Sequence, residues 1–169
     1  MSVVARLLDL HQTLTPTDHR THRRYPFRVP PDSRQLEIWV RYAPKRLGKQ
    51  ESIALAEAAR AEQTAALAPR VGEPLAAQWS ADHDTVAKSA RIVNLLTISL
   101  DDAQGVYRGA NHRHADDQHL QLGSQLASPG LVLGPLPPGE WTLTVSAHTV
   151  ASDQCQLSIQ IDAEIAAAR

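Results

Sequence analysis

Three short segments with strict alternation of apolar and polar positions constrain the fold of this 169-residue chain most strongly. Within residues 36–42, 141–147 and 157–161, every second residue is apolar. Because successive side chains on a β-strand point to opposite faces, this period predicts half-buried strands. Trp141 and Leu143 fall on the apolar side and are predicted to lie in the core. Trp39 falls on the polar side of its strand and is predicted at the surface.

Other segments extend the β-rich pattern. Residues 92–100 are strongly apolar, and shorter strands are predicted near 120–122 and 131–133. The start, V-V-A-R-L-L-D-L, fits either a short helix or an edge strand, and T-L-T-P-T-D-H-R predicts a turn. Prolines 26, 30 and 31 limit strand pairing in Y-P-F-R-V-P-P-D to a sheet edge or a short piece. Together these features predict an all-β fold, an antiparallel jelly-roll-like β-sandwich, as a single domain over residues 1–169.

One alanine-rich segment interrupts the β pattern and predicts a helical insertion at about residues 48–90. Residues 50–68 contain no glycine or proline, so a helix is expected there. The sequence A-P-R-V-G-E-P-L is expected to end it. D-H-D-T-V-A-K-S-A-R then predicts a second helix with Asp82 or Asp84 as N-cap. The last residues, A-E-I-A-A-A-R, predict a helical or frayed tail.

Composition excludes several classes of function. The formal net charge of −1 gives no electrostatic case for binding nucleic acid or an anionic membrane surface. No apolar run approaches the roughly 20 residues of a membrane-spanning helix. Charged residues interrupt the first 14 positions, so no signal peptide is predicted. The single cysteine, Cys155, excludes an internal disulfide and fits a reducing compartment, so the expected location is cytoplasmic.

The stretch from Gly105 to Trp141 carries a family resemblance. It reads G-V-Y-R-G-A-N-H-R-H and then A-S-P-G-L-V-L-G-P-L-P-P-G-E-W, between N-L-L-T-I-S-L-D-D and W-T-L-T-V-S-A-H. This block resembles the N-terminal β-domain that precedes the catalytic domain in PHP-type metallohydrolases of the CehA/McbA family. Ser128 stands where that family usually has Thr, and Leu131 where it has an aromatic residue. The resemblance implies a non-catalytic accessory or interaction domain, whose partner is a PHP-type metallohydrolase or a second copy of the chain.

Polar residues of the same block are the candidate ligand-binding residues, and they are Arg108, His112, Arg113, His114 and His148. The H-x-H spacing puts two imidazoles on one side of an extended segment, and Asp116 and Asp117 follow. A metal-dependent hydrolase that uses this histidine-rich loop therefore stays open as an alternative. Two arginines in the loop would repel a divalent cation. We predict instead that hydrogen bonds hold the loop against L-G-P-L-P-P-G, with no metal and no cofactor.

Catalytic signatures are weak elsewhere, so the chain is predicted not to be an enzyme. D-L-H-Q-T at residues 9–13 echoes the D-L-H-x-H opening of PHP catalytic domains, but Thr13 replaces the second histidine. Cys155 lies in a predicted strand and reads as a small buried hydrophobe. No serine has a G-x-S-x-G frame. A small-ligand or carbohydrate-binding module is the other alternative, and an exposed aromatic groove, with Trp39 as its candidate, would be its sign.

Overall fold

A computed structural model describes residues 2–112 and 115–166. The described residues form eight β-strands and three α-helices in the order β1 (Ser2–Leu14), β2 (Thr21–Val29), β3 (Ser33–Ala43), α1 (Lys49–Val71), α2 (Glu73–Asp82), α3 (Asp84–Lys88), β4 (Leu95–Asp101), β5 (Tyr107–Asn111), β6 (Asp117–Gly123), β7 (Gly139–Thr149) and β8 (Cys155–Ala166). The chain divides into two compact units: a helical unit, Arg46–Val93, and a strand unit on either side of it in sequence. No helix within the described ranges combines the length and hydrophobicity needed to cross a membrane.

The strand unit consists of two four-stranded antiparallel sheets. Sheet A has the order β1-β8-β3-β6, and sheet B has the order β2-β7-β4-β5. The first strand pairs with the last, from Ser2 opposite Ala166 to Leu14 opposite Cys155. Side chains from both sheets form one hydrophobic core. The prediction of a β-rich, sandwich-like fold built from antiparallel sheets is therefore confirmed.

The core follows the period of the three segments that predicted it. Alternate residues of β3 are buried at Leu36, Ile38 and Val40, and the same alternation holds along β7 and β8. Trp141 has no exposed surface, and Leu143 beside it on the same face is equally enclosed. Because one face of each strand fills the core, the intervening polar residues of sheet A lie on its outer face.

A 3₁₀ turn at residues 16–18 links β1 to β2 and is stabilised by a buried carboxylate. Asp18 is only 6% exposed. Its side chain accepts a hydrogen bond from the Thr15 backbone N–H at 2.9 Å and another from Arg23 Nε at 2.9 Å. The Thr15 hydrogen bond first, and the Arg23 guanidinium after it, outweigh burial and hold the pKa of the Asp18 carboxyl below its ordinary value.

We expect Asp18→Asn to lower the free energy of unfolding by about 1–3 kcal/mol at pH 7, because it removes a charged hydrogen-bond acceptor. A carboxyl whose folded pKa is depressed stabilises the fold above its unfolded pKa of about 4, and this contribution is lost as pH falls through the folded pKa. The two proteins should therefore converge in stability as the pH falls through the folded pKa of Asp18, which lies below its ordinary value. Urea denaturation at pH 7 and at low pH measures this, with exposed Asp153→Asn as control. A gap independent of pH would contradict the prediction.

Three local predictions in the strand unit are corrected. Residues 107–111, expected in a loop, form edge strand β5. Residues 131–133 form no strand, and Leu131 makes an isolated bridge to Gly109. The segment 163–166 is not helical, because it continues β8 and pairs with β1. The N-terminal segment takes the second of its two predicted forms, since β1 is an edge strand of sheet A.

In the helical unit, the expected helix at 50–68 is present as α1 and runs on to Val71 with Pro69 inside it. The chain breaks only at Gly72, whose φ of 88° lies in the left-handed region that glycine tolerates. The sequence did not predict α2. The third helix does start where a helix was expected, but its N-cap is His83 rather than Asp82 or Asp84.

Candidate functional site

Arg108, the first predicted ligand-binding residue, is buried in sheet B. It is 5% exposed on β5. Its guanidinium donates to the carbonyl oxygens of Pro135 at 2.8 Å and Val132 at 3.2 Å, and it pairs with the Asp102 carboxylate at 3.4 Å. The guanidinium carbon also lies 5.2 Å from the ring centroid of Trp141. These contacts hold residues 132–135, which follow β6, against the core.

Close backbone packing reinforces this attachment. A Cβ at Gly109 would lie 2.2 Å from the carbonyl oxygen of Gly130, so only glycine fits there. The Ala110 N–H donates to the Gly130 carbonyl at 3.0 Å, and the Val132 N–H donates to the Arg108 carbonyl at 2.8 Å. The expected attachment of this block to L-G-P-L-P-P-G by hydrogen bonds is thus confirmed for Arg108, which donates to the Pro135 carbonyl from a strand rather than from a loop. The backbone bonds of Arg108 and Ala110 go to Val132 and Gly130, just before that segment.

The histidines of the block are placed differently. His112 follows β5 and is exposed, whereas Arg113 and His114 lie outside the described residues. His148 is exposed near the end of β7, and its Nε2 is 2.8 Å from the Thr97 hydroxyl. Within residues 2–112 and 115–166, no three His, Cys, Asp or Glu side chains are arranged to hold a metal ion. The ligand-binding role of the five candidate residues stays a prediction.

The outer face of sheet A brings together polar side chains from all four of its strands. Register places them in three rows across the sheet. In the order β1, β8, β3, β6, the rows are Arg6–Asp162–Glu37–Gln121, Asp9–Gln160–Trp39–His119 and His11–Ser158–Arg41–Asp117. We call these twelve residues the sheet A face. It holds carboxylates, guanidinium groups, amides, imidazoles and one indole on a rigid framework.

Trp39 is the centre of the sheet A face, and its ring is held in place. The indole stacks on the His119 imidazole with ring centroids 4.7 Å apart and planes 2° from parallel. His119 Nε2 lies 2.5 Å from a carboxylate oxygen of Glu37, and the other oxygen of Glu37 accepts from the Gln121 amide at 2.9 Å. The imidazole is therefore fixed by its carboxylate partner, and the indole is fixed by the imidazole.

A shallow depression of about 280 Å³ lies beside Trp39. It is lined by Asp9, His11, Trp39, Arg41, Ser158, Ile159 and Gln160. Since β6 and β8 flank β3 on opposite sides, His119 covers one side of the indole and the depression lies on the other. The depression therefore offers one aromatic surface surrounded by hydrogen-bond donors and acceptors.

Ion pairs within the sheet A face set the orientation of its charged groups. Arg41 Nε donates to the Asp117 carboxylate at 2.9 Å, and Arg6 bridges Asp9, at 2.9 Å, and Asp162. His11 lies 3.5 Å from the other oxygen of Asp9. Exposed pairs of this kind contribute little to stability, but they hold polar groups in defined positions for a ligand.

The sequence pointed to Trp39 but did not predict which side chains surround it. His119 and Glu37 lie 82 residues apart and meet only because β3 and β6 pair. In the sequence, Asp9 and His11 were part of a weak match to a catalytic motif. In the structure they are the β1 members of two rows of the sheet A face. The only sign of this site in the sequence was the polar residues that alternate with the core residues along β3 and along β8.

Comparisons with known proteins give no family. No protein-family model matches the chain. No curated protein sequence matches it either. Among solved structures, the chain is similar to the protein GEBA250068378 from Sulfurospirillum deleyianum, with 11% sequence identity over 90% of this chain and 96% of that one. The TM-score is 0.32, which is too low for an argument about fold or function.

Proposed function

We propose that the chain is a non-catalytic binding module whose sheet A face takes a small polyhydroxylated ligand of the carbohydrate class. The observation that carries this proposal is the oriented indole of Trp39 beside the 280 Å³ depression. That volume lies just below the usual range of small-molecule sites, about 300–1,000 Å³, and suits one or two sugar rings.

The chemistry of the depression matches the two kinds of surface on a sugar. A pyranose ring presents a face of C–H groups, which packs on a flat aromatic side chain, and a rim of hydroxyl groups that need donors and acceptors. Trp39 supplies the aromatic surface. Asp9, Arg41 and Gln160 supply carboxylate, guanidinium and amide groups around it. Ligand binding of this kind needs no nucleophile and no metal.

Isothermal titration of the full chain with a panel of soluble oligosaccharides tests the proposal. The panel contains cello-, xylo-, malto- and chito-oligosaccharides. We expect at least one to bind the wild-type chain and to bind Trp39→Ala about tenfold or more weakly, because losing an aromatic contact of about 1.4 kcal/mol changes affinity tenfold.

A matched control separates the role of Trp39 from a general effect of losing an indole. Trp79 belongs to α2 of the helical unit, and it stacks on His83 with ring centroids 4.3 Å apart. Trp79→Ala should keep the wild-type affinity. If the wild-type chain binds none of the oligosaccharides, or if both variants bind them equally well, the carbohydrate proposal is wrong.

We also propose that the sandwich has jelly-roll topology. Its support is nested pairing: β1 pairs with β8, β2 with β7, β3 with β6 and β4 with β5. This is the pattern of one long hairpin rolled into two sheets, as in eight-stranded jelly rolls. The accessory role beside a PHP-type metallohydrolase, and the cytoplasmic location, remain proposals supported by the sequence resemblance and by the single cysteine.

A further inference from the structure

The helical unit contains a cavity of about 400 Å³ of its own. Two chain segments line it: residues 46–52, which lead into α1, and residues 88–93, which follow α3. An antiparallel bridge between Arg46 and Val93 joins the two segments, and the Leu47 N–H donates to the Ile92 carbonyl at 3.1 Å. The rim is therefore held by backbone hydrogen bonds rather than by side chains alone.

Basic side chains are concentrated around this cavity. The sequence from 46 to 93 contains six Lys or Arg and six Asp or Glu residues, so the segment has no net charge. Four of the six basic residues line the cavity, and no acidic residue does. They are Arg46, Lys49, Lys88 and Arg91. The cavity is thus a local positive region in a neutral unit.

Most of these basic side chains have no acidic partner. Lys88 pairs with Asp84 at 2.6 Å. Arg46, Lys49 and Arg91 form no ion pair among the residues that the structure describes. Glu51, in the first turn of α1, is the acidic residue nearest to Lys49 in sequence, and it is not part of the lining. Like charges around one cavity repel each other, and a bound anion would remove that cost.

The start of α1 borders the same cavity through Lys49 and Ser52. This 23-residue helix begins at Lys49 after the N-cap Gly48, which makes no side-chain capping hydrogen bond. The first N–H groups of a helix have no intrahelical acceptor, and the positive end of the helix dipole favours an anion there. Ser52 lines the cavity, is 1% exposed, and accepts a hydrogen bond from the Ile92 N–H at 3.2 Å.

We propose that this cavity binds a small phosphorylated metabolite, with the phosphate among the four basic side chains. Arginine and lysine at this density, beside the N-terminus of α1, match the charge and the acceptor oxygens of a phosphate. Leu47, Ile92 and Val93 add an apolar part to the lining, which suits the organic portion of the ligand. A volume of about 400 Å³ holds a single small molecule rather than a strand of nucleic acid. The inference is independent of the sheet A face.

Titration calorimetry of the full chain at low ionic strength tests this inference with four probes: inorganic pyrophosphate, ribose 5-phosphate, adenosine 5′-monophosphate and unphosphorylated adenosine. We expect the phosphorylated probes to bind and adenosine not to bind. The double variant Lys49→Gln/Arg91→Gln should bind them at least about tenfold more weakly. Both residues are exposed and unpaired, so the variant should keep its fold, and circular dichroism checks this.

A charge-matched control distinguishes the cavity from a general effect of net charge. Arg28→Gln/Arg70→Gln removes the same charge from β2 and from the last turn of α1, outside the cavity. This control should bind pyrophosphate as the wild type does. The inference is wrong if the wild-type chain binds no phosphorylated probe at millimolar concentration. Equal loss of affinity in the two double variants, or binding of adenosine as tight as that of its monophosphate, would also overturn it.

Discussion

Trp141→Ala should reduce the free energy of unfolding by about 3–5 kcal/mol, the usual cost of deleting a large buried aromatic side chain. Trp141 has no exposed surface. Its indole N–H donates to the Pro137 carbonyl at 2.8 Å, and its ring lies 6.3 Å, centroid to centroid, from that of Phe27. The variant therefore loses apolar packing and also leaves a turn carbonyl without its donor.

Guanidinium chloride denaturation of the wild type and the variant measures this loss. Trp39→Ala is the matched control, because Trp39 is half-buried on the outer face of sheet A and its loss should cost clearly less, about 1–2 kcal/mol. If Trp141→Ala does not fold at all, Trp141→Phe retains most of the ring volume and should lose about 1–2 kcal/mol. Equal stability losses at the two tryptophans would contradict the assignment of Trp141 to the core.

Arg108→Met should have an effect of similar size, about 3–5 kcal/mol, because it removes one member of a buried ion pair. The Asp102 carboxylate is 5% exposed and would be left without its guanidinium partner. The carbonyl oxygens of Val132 and Pro135 would also lose their donors. An unpaired buried charge costs more than the hydrogen bonds alone.

Thermal and chemical denaturation of Arg108→Met, beside the control Arg28→Met, measures this effect. Arg28 is exposed on β2, so its replacement should change stability by less than about 0.5 kcal/mol. A loss below about 1 kcal/mol at Arg108 would show that its contacts are not required for the fold. Arg108 would then be free for a ligand, as the sequence first suggested.

The strands that could be predicted are those whose two faces differ. In 36–42, 141–147 and 157–161 the core side is apolar and the outer side is polar, so the period of two is visible in the sequence. Strand β5 lacks this signal, because R-G-A-N contains small and polar residues and its glycine resembles a turn. It is a strand because it pairs with β4, with Ile98 opposite Asn111 and Leu100 opposite Gly109, and Gly109 also allows the backbone of Gly130 to approach closely.

Alanine-rich segments show the limit of intrinsic propensity. Residues 163–169 were expected to form a helical or frayed tail, yet Ala163 pairs with Ala5 and Ile165 pairs with Val3. Residues 167–169 lie outside the described residues. Pairing with a distant strand overrides the local preference of alanine. In the helical unit the same preference is correct for α1, and the chain turns only where Gly72 adopts a positive φ.

The candidate site could be predicted only in part, for a related reason. The polar side of β3 is visible in the sequence, and so the exposure of Trp39 could be expected. The registers of β3 with β6 and β8 are not visible, and they alone decide that His119 stacks on Trp39 and that Gln160 lies beside it. Constellations across strands depend on register, which a single sequence does not specify.

Nested strand pairing also affects how this chain reaches its native state. Ser2 pairs with Ala166, and Thr21 pairs with Ala147, so most of the sheet hydrogen bonds join residues that are far apart in sequence. The β4–β5 hairpin is the most local pairing, and it is a natural place for folding to start. Each further strand must then close a longer loop, and the sides of β1 and β3 that face β8 stay unpaired until β8 is added between them. A high contact order of this kind gives folding over milliseconds to seconds, with open strand edges during that time.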